Sequence, residues 1–433
     1  MKARCLPAFL LLCALPASLG LLPAPRGLAA DWMQFRGPGG VANSPSTNLP
    51  AKWSLTENLL WRTELPGLGT SSPITVGDKI YLTAYSGYGV EPSQGDMADL
   101  MRHVVCLDRT NGQIVWTKDF APRLPESDYS GGNNSRHGYA SSTIASDGEH
   151  LYVFFGKSGV YCLDLDGKEI WRTLVGDGTR GWGSSNSPVL YKDTVIINAS
   201  IESGRLLALD KKTGETRWEA EEQLKGSWNT PILVDVEGGK QELVVCVPET
   251  ILGVDPDTGA TLWTCDGIPD RGYVCPSAIV HDGVVYAIGG RKNTAIAVRA
   301  GGRGDVTETH MLWETPAGSN VSSPIYHDGH LYWMHESRGA FNCIDAKTGE
   351  LVFSERVEPR PGLVYSSVTF ADGKVIAVSQ YDGAFVLAAK PEFELISHNT
   401  FAGDDARANA CPVVDGQRLL LRNDKYLYCI GTK

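Results

Sequence analysis

Leu207 Ala208 Leu209 Asp210 Lys211 Lys212 Thr213 Gly214 Glu215 Thr216 Arg217 Trp218 is the stretch from which the fold is read. An alternating aliphatic run ends on an aspartate, a Thr-Gly turn follows, and a tryptophan closes the unit. Glycine accepts positive φ and aspartate hydrogen-bonds its own turn, so the chemistry is that of a tight β-hairpin. The unit recurs as Leu107 Asp108 with Asn111 Gly112 and Trp116, Leu163 Asp164 with Asp166 Gly167 and Trp171, and Val254 Asp255 with Thr258 Gly259 and Trp263. A further copy, Ile344 Asp345 with Thr348 Gly349, puts Phe353 in the tryptophan slot.

A second marker opens each unit: a small polar residue, then proline or another small residue, then an aliphatic strand. It stands at Ser72 Pro73, Ser142 Thr143, Ser187 Pro188, Thr230 Pro231, Cys275 Pro276, Ser323 Pro324, Ser367 Val368 and Cys411 Pro412. After a long first unit the spacing is 43 to 48 residues, the period of a four-stranded propeller blade. In the first unit the strands A to D read as a run from Pro73, then Lys79 to Tyr85, His103 to Leu107 and Gln113 to Lys118. The eighth unit has B over Arg418 to Arg422 and C over Tyr426 to Ile430, and the sequence then ends at Lys433. Its strand D is expected from Asn58 Leu59 Leu60 Trp61, which carries the strand-D tryptophan with no A, B or C before it. Such closure removes an exposed sheet edge.

The expected fold is therefore all-β: an eight-bladed propeller of four-stranded antiparallel blades, its ring closed by an N-terminal strand that completes the last blade. Residues 1–30 read as a signal peptide, 31–52 as an N-terminal strap, and 53–433 as one propeller. Trp61, Trp116, Trp171, Trp218, Trp263 and Trp313 are read as packing residues wedged between blades. A core spread over many blade interfaces explains how a chain of 433 residues needs no domain boundary.

The signal reading rests on Lys2 and Arg4, an apolar run from Leu6 to Leu22, and the small residues Gly27, Ala29 and Ala30 before Asp31. No uninterrupted apolar stretch is long enough for a spanning helix. Leu10 to Cys13 resembles a lipoprotein box, but Leu12 stands where a small residue is expected. The formal net charge is −11. The leader holds Lys2, Arg4 and Arg26 and no acid, so the remainder is more negative still, which disfavours nucleic acid as a partner. Cys106, Cys162, Cys343 and Cys429 share one slot in the repeat and read as buried small hydrophobes. Cys246, Cys265 and Cys275 are near enough in sequence for one disulfide, with no pairing assigned. Oligomeric state leaves no signal in the sequence.

The Leu-Asp-x-x-Thr-Gly-x-x-x-Trp units resemble the PQQ-like (pyrroloquinoline-quinone) propeller repeats shared by quinoprotein dehydrogenases and BamB-type outer-membrane assembly factors. The likeness runs from Trp53 to Lys433. Asp31 Trp32 Met33 Gln34 Phe35 Arg36 Gly37 is also similar to the start of secreted bacterial proteins with these repeats. The dehydrogenases typically carry adjacent cysteines beneath the cofactor, a calcium site of Glu, Asn and Asp, and a catalytic Asp. This sequence has no Cys-Cys pair, and its acids fall mostly in the repeated turns, so no calcium ligand or base is carried over.

Strand direction alternates along a blade, so the B-to-C loops and the D-to-next-A loops share a face, with the A-to-B and C-to-D loops opposite. Two long insertions, Ser86 to Met101 and Ala121 to Tyr139, fall on the first face. The residues just before each strand A are expected to ring the channel mouth there: Arg136, His137 and Tyr139, Trp182 and Asn186, Trp228 and Asn229, Tyr273, Asn320, Tyr365, Arg407 and Asn409. The B-to-C loops add Arg291, Glu249, Glu336 and Tyr381. Rings stack while amides and guanidinium groups fork onto oxygen, which suits a sugar, a peptide or an anionic small molecule. The bland alternative is that they satisfy loop backbone and fill the channel.

Other signals are weaker. His137 has no carboxylate partner at a legible spacing. Asp164 to Gly167 is a turn rather than a calcium loop. Arg303 Gly304 Asp305 lies on the face opposite the mouth, and the glycines of Ala300 Gly301 Gly302 Arg303 are expected to precede no helix. No GxSxG, HExxH or GxxxxGK occurs. The reading is of an exported, non-catalytic propeller that binds or scaffolds a protein, peptide or glycan in the periplasm or outside the cell, with no catalytic residues, no metal and no cofactor. The alternative is a quinoprotein-type oxidoreductase using PQQ with calcium.

Overall fold

The computed structural model describes residues 1, 30–90, 95–128 and 138–432, and within them the chain closes into eight antiparallel blades. Residues 2–29 of the predicted leader, Arg136 and His137 lie outside the described residues. Blade one has strands Ile74–Val76, Lys79–Ser86, Met101–Asp108 and Ile114–Phe120, each a residue or two from its sequence-based bounds. In blade eight, Val413–Asp415, Arg418–Arg422 and Tyr426–Ile430 are completed by Leu59–Glu64, with Trp61 opposite Cys429 and Glu64 opposite Tyr426. The last blade thus borrows its outer strand from the other end of the chain. Helix is confined, among the described residues, to short turns such as Thr307–His310, and no helix there is long and apolar enough to cross a membrane.

All eight C–D pairs carry a register shift immediately before the tryptophan slot. In blade three, Ala208 faces Trp218 but Leu209 faces Thr216, leaving Arg217 as the extra residue. Such a bulge bends the outer strand and re-aims the side chain that follows. The ring lands against the next blade's C–D turn: a Cβ on Gly214 would come within 2.6 Å of Trp171, and one on Gly259 within 2.5 Å of Trp218. Those turns need glycine twice over, because φ is also positive there (74° and 77°). The indole N–H groups finish the contact, Trp171 donating to Lys211 O at 2.8 Å and Trp218 to Pro256 O at 3.1 Å. Trp61, Trp116 and Trp313 lie against Gly112, Gly167 and Gly349 in the same way.

Trp263 does otherwise. It lies over Gly253 of its own blade and donates to Glu242 at 2.7 Å. The Glu242 carboxylate also accepts from Gly301 N at 3.0 Å and Arg303 Nη1 at 2.7 Å. The glycine-rich loop therefore wraps an internal carboxylate. It adds Gly304–Asp305 as a parallel strand on blade four and is followed by the Thr307–His310 helical turn, although no helix was expected after these glycines. Blade seven has Ser397 in the tryptophan slot, and there Trp53 is buried between blades seven and eight, its backbone N–H donating to Asn399 Oδ1 at 3.0 Å.

The core consists of these blade interfaces. Tyr152, Phe154, Val160 and Cys162 of blade two, for instance, pack against Val195, Ile197, Leu207 and Leu209 of blade three. Cys106, Cys162, Cys343 and Cys429 are buried as expected, and burial pushes each thiol up to about 12. The eight described cysteines, Cys246, Cys265 and Cys275 among them, are all free thiols.

Candidate functional site

The marker before each strand A has a role that its composition did not disclose. The N–H of Ser72 donates to Thr143 Oγ1, Thr143 to Ser187 Oγ, Ser187 to Thr230 Oγ1 and Thr230 to Ser277 Oγ, at 2.9 to 3.0 Å. Ser277 then donates to Ser323, Ser323 to Ser367, Ser367 to the Cys411 thiol, and Cys411 back to Ser72. Eight donors and eight acceptors close one circle around the channel. In blades two and five the member is Thr143 or Ser277 rather than Ser142 or Cys275, one or two residues past the start of the motif. Each bond satisfies a backbone N–H facing the axis, where no strand lies further in to take it.

The strap closes one end of that channel. Trp32 exchanges hydrogen bonds with Thr75 of blade one at 2.8 and 3.0 Å, and Met33 O accepts from Ser146 of blade two at 2.8 Å. Arg36 donates to Pro324 O of blade six, and Asn43 and Ser44 pair in parallel with Phe370 and Ala371 of blade seven. Asp31, held at 2.6 Å by the buried Arg109 guanidinium, pins the strap's start to blade one. Arg109 also pairs with Asp415 of blade eight at 2.5 Å. Thr75, Ser146, Phe370 and Ala371 lie toward the far ends of strands A, and Arg109 and Asp415 at the C–D and A–B turns, so the strap lies opposite the predicted mouth.

What remains is a one-ended cavity of about 460 Å³ with Phe35 of the strap in its floor. Of the predicted mouth residues, Trp182, Trp228, Tyr273, Arg291, Asn320, Tyr365 and Asn409 line it. Arg180, which sequence reasoning passed over, joins them; its position two residues before Trp182 in the same loop was the available signal. Arg180 lies over the Trp228 ring at 4.9 Å, Trp228 meets Tyr273 edge-on at 6.2 Å, and Arg291 covers Tyr273 at 4.7 Å. Trp228 is fixed by donation to Gly183 O at 2.7 Å, and Tyr273 by accepting from Asn320 at 2.8 Å. Trp182 is 41% exposed.

The other predicted positions lie elsewhere. Asn229 is buried and exchanges hydrogen bonds with Cys246 of strand B, at 2.6 and 3.3 Å, because the residue before strand A points alternately to the axis and into the blade. Asn186 is buried away from the cavity wall. Tyr139 donates to Ser127 O at 3.0 Å and packs on Tyr85 and Tyr88, where the two long insertions meet. Arg407 pairs with Asp424 at 2.8 Å. Glu249 pairs with Arg271, Glu336 accepts from Asn320 N, and Tyr381 is exposed.

Beside the mouth, Glu202 lies in the B–C loop of blade three, only 4% exposed. It accepts from Ser184 Oγ through one carboxylate oxygen and from Gly178 N through its carbonyl, so it ties down both ends of the loop that bears Arg180 and Trp182. Burial, reinforced by the nearby Glu126 carboxylate, pushes its carboxyl up to about 7.

The residues present do not fit PQQ with calcium. Among the described residues, the cavity wall contains no Asp or Glu, and its two thiols, Cys275 and Cys411, are far apart in sequence. Among the described residues, no group of three or more His, Cys, Asp or Glu could hold a metal ion.

Known proteins share this architecture. The chain resembles BamB from Moraxella catarrhalis (13% identity, 86% of this chain and 99% of that one, TM-score 0.58). It superposes similarly on the quinohemoprotein alcohol dehydrogenase of Comamonas testosteroni (14% identity, 93% and 81%, TM-score 0.60). At this identity both likenesses show the fold alone. In sequence it is 22% identical over 369 residues, 81% of each chain, to the outer membrane protein assembly factor BamB of Burkholderia pseudomallei strain K96243. The pattern of that family matches residues 101–355, more than half of the chain, and by this match, on eight blades of PQQ-like repeats, the chain belongs to the family of the outer membrane protein assembly factor BamB.

Proposed function

We propose that this protein is an exported binding propeller of the cell envelope that carries out no chemistry itself and holds a protein, peptide or glycan at the mouth of its channel. The observation that carries the reading is the one-ended cavity: rings and guanidinium groups at its rim, hydroxyls around its wall, and a floor supplied by the strap. A packed loop cluster would leave no such volume. The name of the relatives, assembly factors for outer membrane proteins, supports a protein partner in the envelope, with the propeller as scaffold.

The test is capture of envelope proteins and glycans on the immobilised protein, compared with Arg180→Ala and Trp182→Ala. Both residues sit in an exposed loop, so melting temperature should hold within a degree or two. Loss of a saturable ligand in both variants is the expected result. A ligand that ignores both places its binding elsewhere and overturns the mouth reading. Titration with PQQ and calcium addresses the oxidoreductase alternative; calcium-dependent saturable binding would overturn the non-catalytic assignment.

A further inference from the structure

The chemistry of the cavity wall is selective. Among the described residues, Val321 is its one aliphatic side chain, and no Asp, Glu or Lys belongs to it. A protein of net charge −11 thus lines the described wall of this cavity with two arginines and no carboxylate. Arg291 is partly neutralised by Asp270 at 3.1 Å. Arg180 has no carboxylate partner among the described residues, its contact being the face of Trp228. A concave wall of low dielectric concentrates the field of such a charge.

A third cation, Arg36, lies buried beside the floor residue Phe35. Arg36 is 1% exposed, donates to the carbonyls of Gly40 and Pro324, and leaves Nη1 without a hydrogen-bond partner. It stands near the Cys411 thiol, a wall residue, and burial without a carboxylate lowers its guanidinium to about 10. A desolvated cation held by carbonyls alone favours negative charge nearby. Between the two tiers runs the circle of hydroxyls. Ser72, Thr230, Ser277, Ser323, Ser367 and the Cys411 thiol face the cavity. Each accepts an N–H, and none donates its own hydrogen to an acceptor among the described residues.

We propose that the cavity binds an anionic saccharide, a sugar unit bearing a carboxylate or a sulfate ester, with its oxyanion on Arg180, a C–H face on Trp182 and its hydroxyls on the Ser/Thr circle. The inference rests on the binding reading of the mouth and names its ligand class. Rings paired with many small hydroxyls and amides match the alternating apolar faces and hydroxyl edges of a sugar. A hydrophobic peptide would instead call for aliphatic walls, and a basic one for carboxylates. The planar guanidinium of Arg180 presents a fork to carboxylate and sulfate alike.

Calorimetric titration of the purified protein tests this with four probes: tetragalacturonate, a sulfated galactan tetrasaccharide, neutral cellotetraose and tetraglutamate. One of the two charged sugars, or both, should bind at one site per chain and quench tryptophan fluorescence; comparing them separates carboxylate from sulfate. Cellotetraose should bind at least about tenfold more weakly, Arg180→Gln should cost the charged sugar about tenfold or more, and added salt should weaken it. Trp182→Ala, which removes no charge, should lower affinity for charged and neutral sugars alike. Equal binding of cellotetraose, binding of tetraglutamate alone, or no sugar binding overturns the proposal while leaving a mouth that captures another ligand. A captured ligand unaffected by both variants overturns the mouth reading as well.

Discussion

Replacing Glu202 by Gln should remove most of the pH dependence of stability between pH 4.5 and 8 that this one side chain contributes. Its carboxyl titrates near 7 in the fold against 4.5 as its ordinary value, so over that window the native state holds a proton that the unfolded chain has released. Stability then falls as pH rises, being fully present below 4.5 and lost through 7. The difference of about 2.5 units amounts to about 3 kcal/mol. The group is buried, so solvent screening does not reduce this much. Glutamine keeps the oxygen that accepts from Ser184 and imitates the protonated acid. Any offset from its amide is independent of pH. Urea unfolding at fixed ionic strength, followed by tryptophan fluorescence and circular dichroism, gives the variant-minus-native difference at each pH. It should climb by about 3 kcal/mol from pH 4.5 to 8. A difference flat to within about 0.5 kcal/mol would show that Glu202 is ionised in the fold at neutral pH and that its burial does not hold the proton.

Trp218→Ala empties the wedge between blades three and four and strands the Pro256 carbonyl; a loss of about 3 to 5 kcal/mol is expected, and an unchanged melting temperature would contradict the packing role. Gly214→Ala should destabilise by more than about 1 kcal/mol, since its Cβ meets the Trp171 ring at a positive φ; a neutral result in thermal melts would show that the turn can shift. Arg109→Met removes the cation joining Asp31 to Asp415. Because Arg418 still pairs with Asp415 at 2.5 Å, the cost should sit near the low end of a broken buried pair, about 3 kcal/mol, and protease cleavage of the strap should accelerate. Equal cleavage rates would sever Arg109 from strap docking.

The blades were legible because every copy of the hairpin repeats the same local chemistry: an Asp that caps a turn, a Gly at positive φ, and a ring one strand later. The closing strand could be read for a similar reason, Trp61 being a strand-D residue with no blade before it. What escaped was non-local. Nothing around Trp53 says that it fills the slot that Ser397 leaves empty in blade seven, some 340 residues away. Asn229 and Asn186 look like mouth residues because adjacency to strand A was the criterion, whereas facing is decided residue by residue. Arg180 was overlooked because its loop carries no repeat. The marker itself was visible, but not that its hydroxyls bond around the ring.

That circle bears on why a mouth can vary on a fixed scaffold. Each Ser or Thr in it supplies a backbone donor to one neighbour and a hydroxyl acceptor to the other, so the inner edge of the propeller is satisfied without any loop. The outer edge is secured by ring-on-glycine wedges and the far end by the strap. The D-to-A loops are then relieved of structural duty wherever they do not reach the circle. Arg180 and Trp182 occupy such a loop, held at two points by Glu202 and at Gly183 by Trp228 rather than by any strand. Substitutions there should change what is bound and leave the ring intact, whereas substitutions in the circle or the wedges should loosen the ring first and affect binding only as a consequence.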